Sequence, residues 1–349
     1  MSMPARFPAA VVTAYNKVEI ADIPAYPLGP YDATVRILAC SVCAATDTHL
    51  IDGSFPRAWC SPPPFVIGHE SVGRVTAIGP KVRHFQVGQM VVRTGWAPAN
   101  FAHGGFGSAW GGFSTWGMVR DARAIPAAER SGFDSWWLDS LPVPEMPARD
   151  ATMFTTWRDT RSCLQQMAVT AGQRVVVFGS GGNGLAFLRF ATVLGARVVL
   201  VGSPSRFDRG TRLGAVACVN YRDGDKVPAA VKDAFGGEAA DVVIEAAGTS
   251  QHIAQCLGCL ARGGKLFLFG IPPELQYPCN LYSPPGQFTV LGKACAEWQA
   301  HGQVLTHYLS GEIKVDDFCD ATLPLEQINA ALAAIRRKEA IKICLTMPT

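Results

Sequence analysis

The chain has 349 residues, 48% of them hydrophobic and 17% charged, which supplies enough apolar material for two packed cores and excludes a disordered chain or a small disulfide scaffold. Its formal charge is +3, without a basic block or an aromatic-basic alternation. Nucleic acid and membrane surfaces are therefore not expected as partners, and a small molecule is.

No run of about 18 apolar residues occurs, and the opening MSMPARFPAAVVTAY has no charged start, apolar core and cleavage site, so a soluble, cytoplasmic protein is expected. The 11 cysteines, an odd number spread from Cys40 to Cys344, fit reduced thiols better than a disulfide framework, most of them buried small hydrophobes.

In chain order, the first 150 residues hold most of the prolines and short extended runs such as Ala33 to Leu38 and Ser71 to Ile78. This texture predicts a β-rich domain with long loops. Six glycines in fourteen residues alternate with aromatics in Gly104 to Gly117. From about 172, apolar strands alternate with helical patterns: Arg174 to Phe178, Leu185 to Leu194, Arg197 to Val201, Asp241 to Ala246, Ile253 to Ala261 and Lys265 to Phe269. Such alternation predicts an α/β domain with a doubly wound parallel sheet over 151–289. The helix predicted at Leu325 to Arg336 and the strand at Ala340 to Leu345 are too short for a third domain, so 290–349 are expected to complete domain 1–150.

Val175 to Phe178 is followed at once by Gly179-Ser180-Gly181-Gly182-Asn183-Gly184 and an amphipathic helix, the order of strand, turn and helix that a dinucleotide needs. Gly179 permits the tight turn, Gly181 lets the backbone approach a pyrophosphate, and Gly184 lets the helix lie close on the strand, with Gly182 and Asn183 at the helix start. The next strand ends in Gly202-Ser203-Pro204-Ser205-Arg206, with no acid where a ribose hydroxyl would be read. Small Gly202, the hydroxyls of Ser203 and Ser205 and the Arg206 guanidinium suit the extra phosphate of NADP(H) better than NAD(H). Tyr221 completes the candidate cofactor contacts, and Asp208 is the counter-candidate for a ribose ligand.

Cys43, Thr46, Asp47 and His49 lie within seven residues, and Gly68-His69-Glu70 follows after a proline-rich loop. A thiolate and an imidazole from separate segments are typical zinc ligands, and a catalytic zinc needs only three protein ligands. Alone, Cys43 reads as core and His69 as a structural histidine; together, ahead of a dinucleotide turn, they read as a metal pair.

With Gly68-His69-Glu70-Ser71-Val72-Gly73, then Gly79, Val87-Gly88, the Gly179 to Gly184 turn and Gly263-Gly264, the chain resembles the medium-chain dehydrogenase/reductases, and within them the zinc-dependent alcohol dehydrogenases. The resemblance implies a GroES-like β-rich catalytic domain around an inserted Rossmann domain. It implies Cys43 and His69 as zinc ligands, Glu70 as the carboxylate beside the metal, Thr46 taking the substrate proton and His49 passing it to solvent. The third ligand of this family precedes the first Rossmann strand. Asp150 is the best candidate, as in the aspartate-ligand, NADP-using branch, ahead of Glu145 and Cys163. Homodimers or homotetramers through the Rossmann sheet are the family habit, with Lys265 to Ile271 and a strand near Thr289 as the candidate edge.

Three features depart from the pattern. Cys43-Ala44-Ala45-Thr46-Asp47 carries one residue more than the usual Cys-X-Thr/Ser-Asp, so either the loop bulges or the hydroxyl moves away from the metal. The four-cysteine lobe for a second zinc is replaced by the Cys-free stretch Trp96 to Gly117, which implies one catalytic zinc and no structural zinc. The aromatic segment Ser131 to Glu145 is long and blurs the placement of Asp150.

The implied activity is hydride transfer between NADP(H) and an alcohol or carbonyl carbon, in the direction of reduction in the cell. Trp59, Trp96, Trp110, Trp116, Trp136, Trp137 and Trp157 suggest a bulky apolar, aromatic or sugar-like substrate, although several could simply fill a core. A zinc-free reductase of a polarised C=C or C=N bond is the rival within the superfamily. A non-catalytic NADPH-binding or lens-type relative is the rival outside catalysis, and it predicts damaged ligands. Redox pairs at Cys40/Cys43 and Cys256/Cys259 are weaker readings, because the first overlaps the metal loop and the second lies on an apolar helix.

Overall fold

The computed structural model describes residues 2–55, 61–132, 134–279, 285–293 and 296–348; Trp59 lies outside them. The chain divides into two compact units, Met1–Thr155 with Cys319–Thr349, and Thr156–Phe318. The return to the first unit thus comes at Cys319. Residues 290–318, grouped by texture with the first domain, cluster with the second, because Trp157 packs its ring on Phe318 and Tyr308 (5.7 and 6.1 Å) and Lys293 pairs with Asp159 at 2.6 Å. Among the described residues no helix is long and apolar enough to cross a membrane.

The first unit is built on the strand Asp32–Ser41, whose apolar alternation buries Ala33, Val35, Ile37 and Ala39. It pairs antiparallel with Glu70–Ile78, with Trp116–Arg120 and with the C-terminal strand Ile343–Thr346. Gly73 is required within this sheet: a Cβ there would sit 2.2 Å from the Val35 side chain and 2.7 Å from the Arg36 carbonyl oxygen. The C-terminal strand runs from Ile343 to Thr346, starting three residues later and ending one residue later than the apolar run suggests, because Ile341 and Lys342 donate their N–H groups to the Asp320 carboxylate instead of to a ladder.

The second unit holds six parallel strands in the order Ala217–Asn220, Arg197–Gly202, Arg174–Phe178, Ala240–Glu245, Leu260–Leu268 and Thr289–Gly292. Val175, Val176, Val177 and Phe178 are fully buried, as expected of a strand covered on both faces, and each contributes roughly 1.5–3 kcal/mol of burial. The strand order reverses beside Arg174–Phe178, which is where ligands bind in open α/β sheets.

Candidate active site and nucleotide turn

The strand pairing sets the first site. Ser41 lies opposite Glu70, and Cys344 opposite Ser41, so the ends of three strands bring Cys43, His69, Glu70 and Lys342 together. The donor atoms of Cys43, His69 and Glu70 all lie within 4.8 Å of one another, and all three residues are buried. Asp150, on the short helix Ala148–Thr152 and half-buried, is not among the gathered donors; the acid that is present is Glu70. Glu145 is exposed and spent on Arg74 at 2.7 and 3.0 Å. Cys163 is buried in the second unit.

The extra residue between Cys43 and Thr46 is absorbed as a bulge: Ala44 and Ala45 are exposed while Cys43 stays in the donor set. Asp47 closes the loop, its Oδ2 accepting from the Cys43 N–H at 2.8 Å. The helix Thr46–Asp52 then begins with Thr46, half-buried, and carries His49 one turn on. His49 Nδ1 meets Ser54 Oγ at 2.6 Å, and Ser54 Oγ donates to Asp52 Oδ1 at 2.5 Å.

Two charged groups stand behind the donors. Asp47 Oδ1 lies 3.4 Å from His69 Nδ1, a long, off-line contact that nonetheless directs this nitrogen to a carboxylate and leaves Nε2 for the donor set. Carboxylate-backed imidazoles of this kind are oriented and made more basic as metal ligands. Burial alone pushes the His69 ring down, but Asp47 and the Cys43 sulfur outweigh it and hold it protonated up to about 10. Soft sulfur, imidazole and carboxylate are together a zinc donor set, so these residues fit the ion. Behind Glu70, Lys342 Nζ donates to Oε2; burial pushes the ammonium down, and Glu70 more than offsets it, raising it above its ordinary value.

In the second unit, Gly179 has φ +115°, and a Cβ there would meet Ala246 at 2.9 Å. At Gly184 a Cβ would lie 1.9 Å from the Gly179 carbonyl oxygen, whereas at Gly181 it would point into open space. The first two glycines thus serve turn and packing, and the third keeps the front of the turn clear beside the helix Gly182–Val193, where a diphosphate would be cradled. That helix begins three residues before the predicted Leu185, because Gly182, Asn183 and Gly184 form its first turn.

Gly202 and Asn220 are register partners on adjacent strands, so Ser203 and Tyr221 follow at neighbouring strand ends. Ser203 and Ser205 hydroxyls are 3.0 Å apart, and Arg206 ends the 3-10 turn Pro204–Arg206. Asp208 is exposed in the helix beyond it. Arg222, unnoticed in the sequence, stacks on Tyr221 and donates to its hydroxyl at 3.0 Å.

Residues 29–129 match the alcohol dehydrogenase GroES-like domain, and residues 182–302 match the zinc-binding dehydrogenase domain. The chain belongs to the zinc-type alcohol dehydrogenase family. An alcohol dehydrogenase of Cupriavidus necator is 28% identical over 304 residues, 80% of this chain and 81% of that protein. A probable zinc-binding alcohol dehydrogenase of Mycobacterium tuberculosis is 28% identical over 92% of this chain and 83% of its own. The crystal structure of benzyl alcohol dehydrogenase from Acinetobacter calcoaceticus covers 98% of this chain and 99% of its own with a TM-score of 0.83, at 21% identity, and so carries the fold. The dehydrogenase is an oxidoreductase whose family implies zinc and a nicotinamide cofactor.

Two outliers lie beside the donor set of this dehydrogenase. Arg93 has φ +60° and Trp110 φ +65°, left-handed conformations costing about 1–3 kcal/mol each for bulky residues. Both line a recess that also includes His69, Thr94, Trp136 and Trp137. The other tryptophans divide differently: Trp96, Trp116 and Trp157 are buried in cores.

The long segment that blurred the placement of Asp150 supplies Trp136 and Trp137 on the 3-10 helix Asp134–Asp139. The thiols of Cys256 and Cys259 are free and buried, which pushes Cys259 up to about 12 and disfavours the reactive thiolate. Lys342 and Asp47 are the functional residues that sequence reasoning left without a role. A lysine inside the run Ile341-Lys342-Ile343-Cys344 was the available signal, since a charge in an apolar strand needs a partner.

Proposed function

We propose that the dehydrogenase transfers hydride between NADP(H) and the carbon of an alcohol, aldehyde or ketone, running as a reductase in the cell, with one zinc per chain held by Cys43, His69 and Glu70. The observation that carries this reading is the buried Cys43–His69–Glu70 set, with Asp47 behind the imidazole and Lys342 behind the carboxylate. A zinc ion there would supply Lewis-acid polarisation of a substrate oxygen, and the nicotinamide the hydride chemistry. Asp47 orients His69, Lys342 fixes Glu70, Thr46 takes the hydroxyl proton, and His49 hands it on toward Ser54 and solvent. Asp150 then serves as a helix residue and not as the third ligand.

The preference for NADP(H) rests on Gly202, the paired hydroxyls of Ser203 and Ser205, and Arg206, with Tyr221 and Arg222 on the neighbouring strand end. The domain assignment proposed is a catalytic domain formed by the two ends of the chain and a nucleotide domain between them. Assembly as a cytoplasmic homodimer or homotetramer would use the edge strand Thr289–Gly292, whose Val290 is exposed; light scattering on the purified protein reads its mass.

Elemental mass spectrometry on the wild type, Cys43→Ser and His69→Ala tests the metal. About one zinc per chain, lost in both variants, supports the reading. Zinc-free protein that still binds NADPH overturns it and favours reduction of conjugated alkenes or iminium ions. Arg206→Ala should weaken NADPH and leave NADH unchanged in a calorimetric titration; equal effects refute the phosphate assignment.

A further inference from the structure

The nucleotide unit buries a carboxylate that neither the metal donors nor the proton relay uses. Glu245 ends the strand Ala240–Glu245, in register with Phe178, and is fully buried. Its Oε1 accepts from the Ala247 N–H and its Oε2 from the Gly248 N–H, each at 3.1 Å, so one side chain gathers the loop that leaves its own strand. Its backbone carbonyl accepts from Phe269 and Gly270, both at 3.0 Å, and ties in the loop that leaves the next strand, Leu260–Leu268.

The second loop is fastened to the same group. Residues 273–276 are exposed, and Tyr277 then turns back, half-buried, with its hydroxyl 2.6 Å from Glu245 Oε2 and 3.1 Å from the Gly270 carbonyl oxygen. A phenol has one proton, and at the shorter distance the carboxylate takes it in a charge-assisted bond. Burial, and then Glu245, push the phenol above its ordinary range, so it stays the donor. Gly270 lets the two loops touch: a Cβ there would sit 2.2 Å from the Gly248 nitrogen and 2.8 Å from Oε2. His252 Nδ1 stands 3.7 Å from Oε1, too far for a hydrogen bond. Among the described residues, Tyr277 is therefore the side chain that hydrogen-bonds this carboxylate.

The place of these loops gives the network its use. Ligands of an open parallel sheet lie outside the carboxyl ends of its strands, where the strand order reverses, here beside Arg174–Phe178. On one side of that point, Arg197–Gly202 and Ala217–Asn220 end at Ser203 to Arg206 and at Tyr221, the residues read as the adenosine end, and the Gly179 turn takes the diphosphate. The other half of a dinucleotide then extends over the opposite side, where Ala240–Glu245 and Leu260–Leu268 end. Ala246 donates its N–H to the Phe178 carbonyl at 2.8 Å, which seats the first of the two loops directly against the nucleotide turn.

We propose that Tyr277 and Glu245 are positioning residues for the nicotinamide: their bond locks residues 246–249 to residues 269–277 as one floor on which the ring keeps a single orientation, while neither side chain touches cofactor or substrate. The inference rests on the dehydrogenase reading. Packing alone gives no reason for a buried charge, since apolar residues of similar volume are often as stable or more so. A carboxylate fixes two N–H groups and a phenol at once, which is what a floor of defined height needs.

The test compares the full-length, zinc-loaded wild type with Tyr277→Phe, which keeps the ring and removes the bond. NADPH binding is read by the emission of its nicotinamide, which brightens when the ring is held rigid, and binding of 2′,5′-ADP, the adenosine half alone, by calorimetry. NADH and 5′-AMP run in parallel, so that the 2′-phosphate preference does not decide the outcome. In Tyr277→Phe the adenosine half should bind as in the wild type, while the emission gain on the whole cofactor is largely lost. With 1-butanol, benzyl alcohol and cyclohexanol as turnover probes, kcat should fall by about ten- to a hundredfold at an unchanged KM for the alcohol, the cost of a misplaced reacting group.

Weaker binding of the adenosine half together with the emission loss would make the pair a general support of the unit and overturn the positioning role. An emission gain kept in full by Tyr277→Phe, or absent in the wild type, would overturn it as well. A gain that the wild type shows and Tyr277→Phe loses, without turnover of any alcohol, would uphold the positioning role and overturn the dehydrogenase reading. Turnover by the wild type with kcat unchanged in Tyr277→Phe would overturn the positioning role and leave that reading standing.

Discussion

Replacing Lys342 by Met tests how the donor set is held. Lys342 and Glu70 are 4% and 3% exposed at their side chains, so solvent cannot take over either charge. Removing one partner of such a buried pair costs about 3–5 kcal/mol, because the carboxylate stays behind uncompensated; removing both is near neutral. At about 1.36 kcal/mol per tenfold, hydrogen-exchange protection in Asp32–Ser41 and Glu70–Ile78 should fall by roughly 10²- to 10⁴-fold. Protection in Arg174–Phe178, in the other unit, should hold.

The assay is native-state exchange read by mass spectrometry on wild type, Lys342→Met, and the double variant Glu70→Gln/Lys342→Met, each stripped of metal so that zinc does not replace the missing ammonium. The double variant should recover most of the loss. If Lys342→Met costs under about 1 kcal/mol, or the double variant is no more stable than the single, the ion pair does not hold Glu70 in place.

Because His69 in the metal-free protein stays protonated up to about 10 against about 6.5 when unfolded, its contribution to stability is complete below pH 6.5 and is lost as pH rises toward 10. Urea melts of metal-free protein at pH 6.5, 8 and 9.5 should decline, and zinc should flatten the series by taking the place of that proton; rising stability toward 9.5 would refute the assignment. Since Ser54 gives its only proton to Asp52, it must accept from His49 Nδ1–H, which leaves Nε2 as the proton acceptor. Histidine ¹⁵N shifts should report that tautomer in the wild type and a mixture in Ser54→Ala, whereas an Nε2–H tautomer in the wild type would reverse the relay.

Asp121 accepts from the N–H groups of Arg83 and His84 and from His84 Nδ1 at 2.7–2.9 Å. Burial pushes its carboxyl up, but these donors outweigh it and lower it. Its contribution is therefore present above about pH 4 and lost as pH falls through the lower folded value. Asp121→Asn should cost about 1.5–3 kcal/mol at pH 7 and flatten the acid limb of a urea-melt series; an unchanged acid limb would show that another carboxylate sets it.

What was legible in the sequence was what repeats along it. Arg174–Phe178 was bounded correctly from five apolar-flanked residues, and the glycine turn from its order after a strand, because parallel strands and nucleotide turns are local patterns with fixed periods. The strand end at Gly202 that precedes Ser203 to Arg206 was legible to within one residue for the same reason. The gathering of Glu70 with Cys43 and His69 was not legible in this way: it follows from the pairing of Ser41 with Glu70 across two strands.

Lys342 reaches Glu70 across 272 residues, and the return to the first unit at Cys319 depends on Trp157 packing against Tyr308 and Phe318. Neither leaves a periodic trace. The recess was legible only as composition. Seven tryptophans suggested a ring-lined site, but four of them, Trp96, Trp116, Trp137 and Trp157, are buried in cores, and Trp110 differs from Trp96 in its left-handed backbone. A site assembled from such non-local and conformational choices can vary from relative to relative while its glycine signature stays readable.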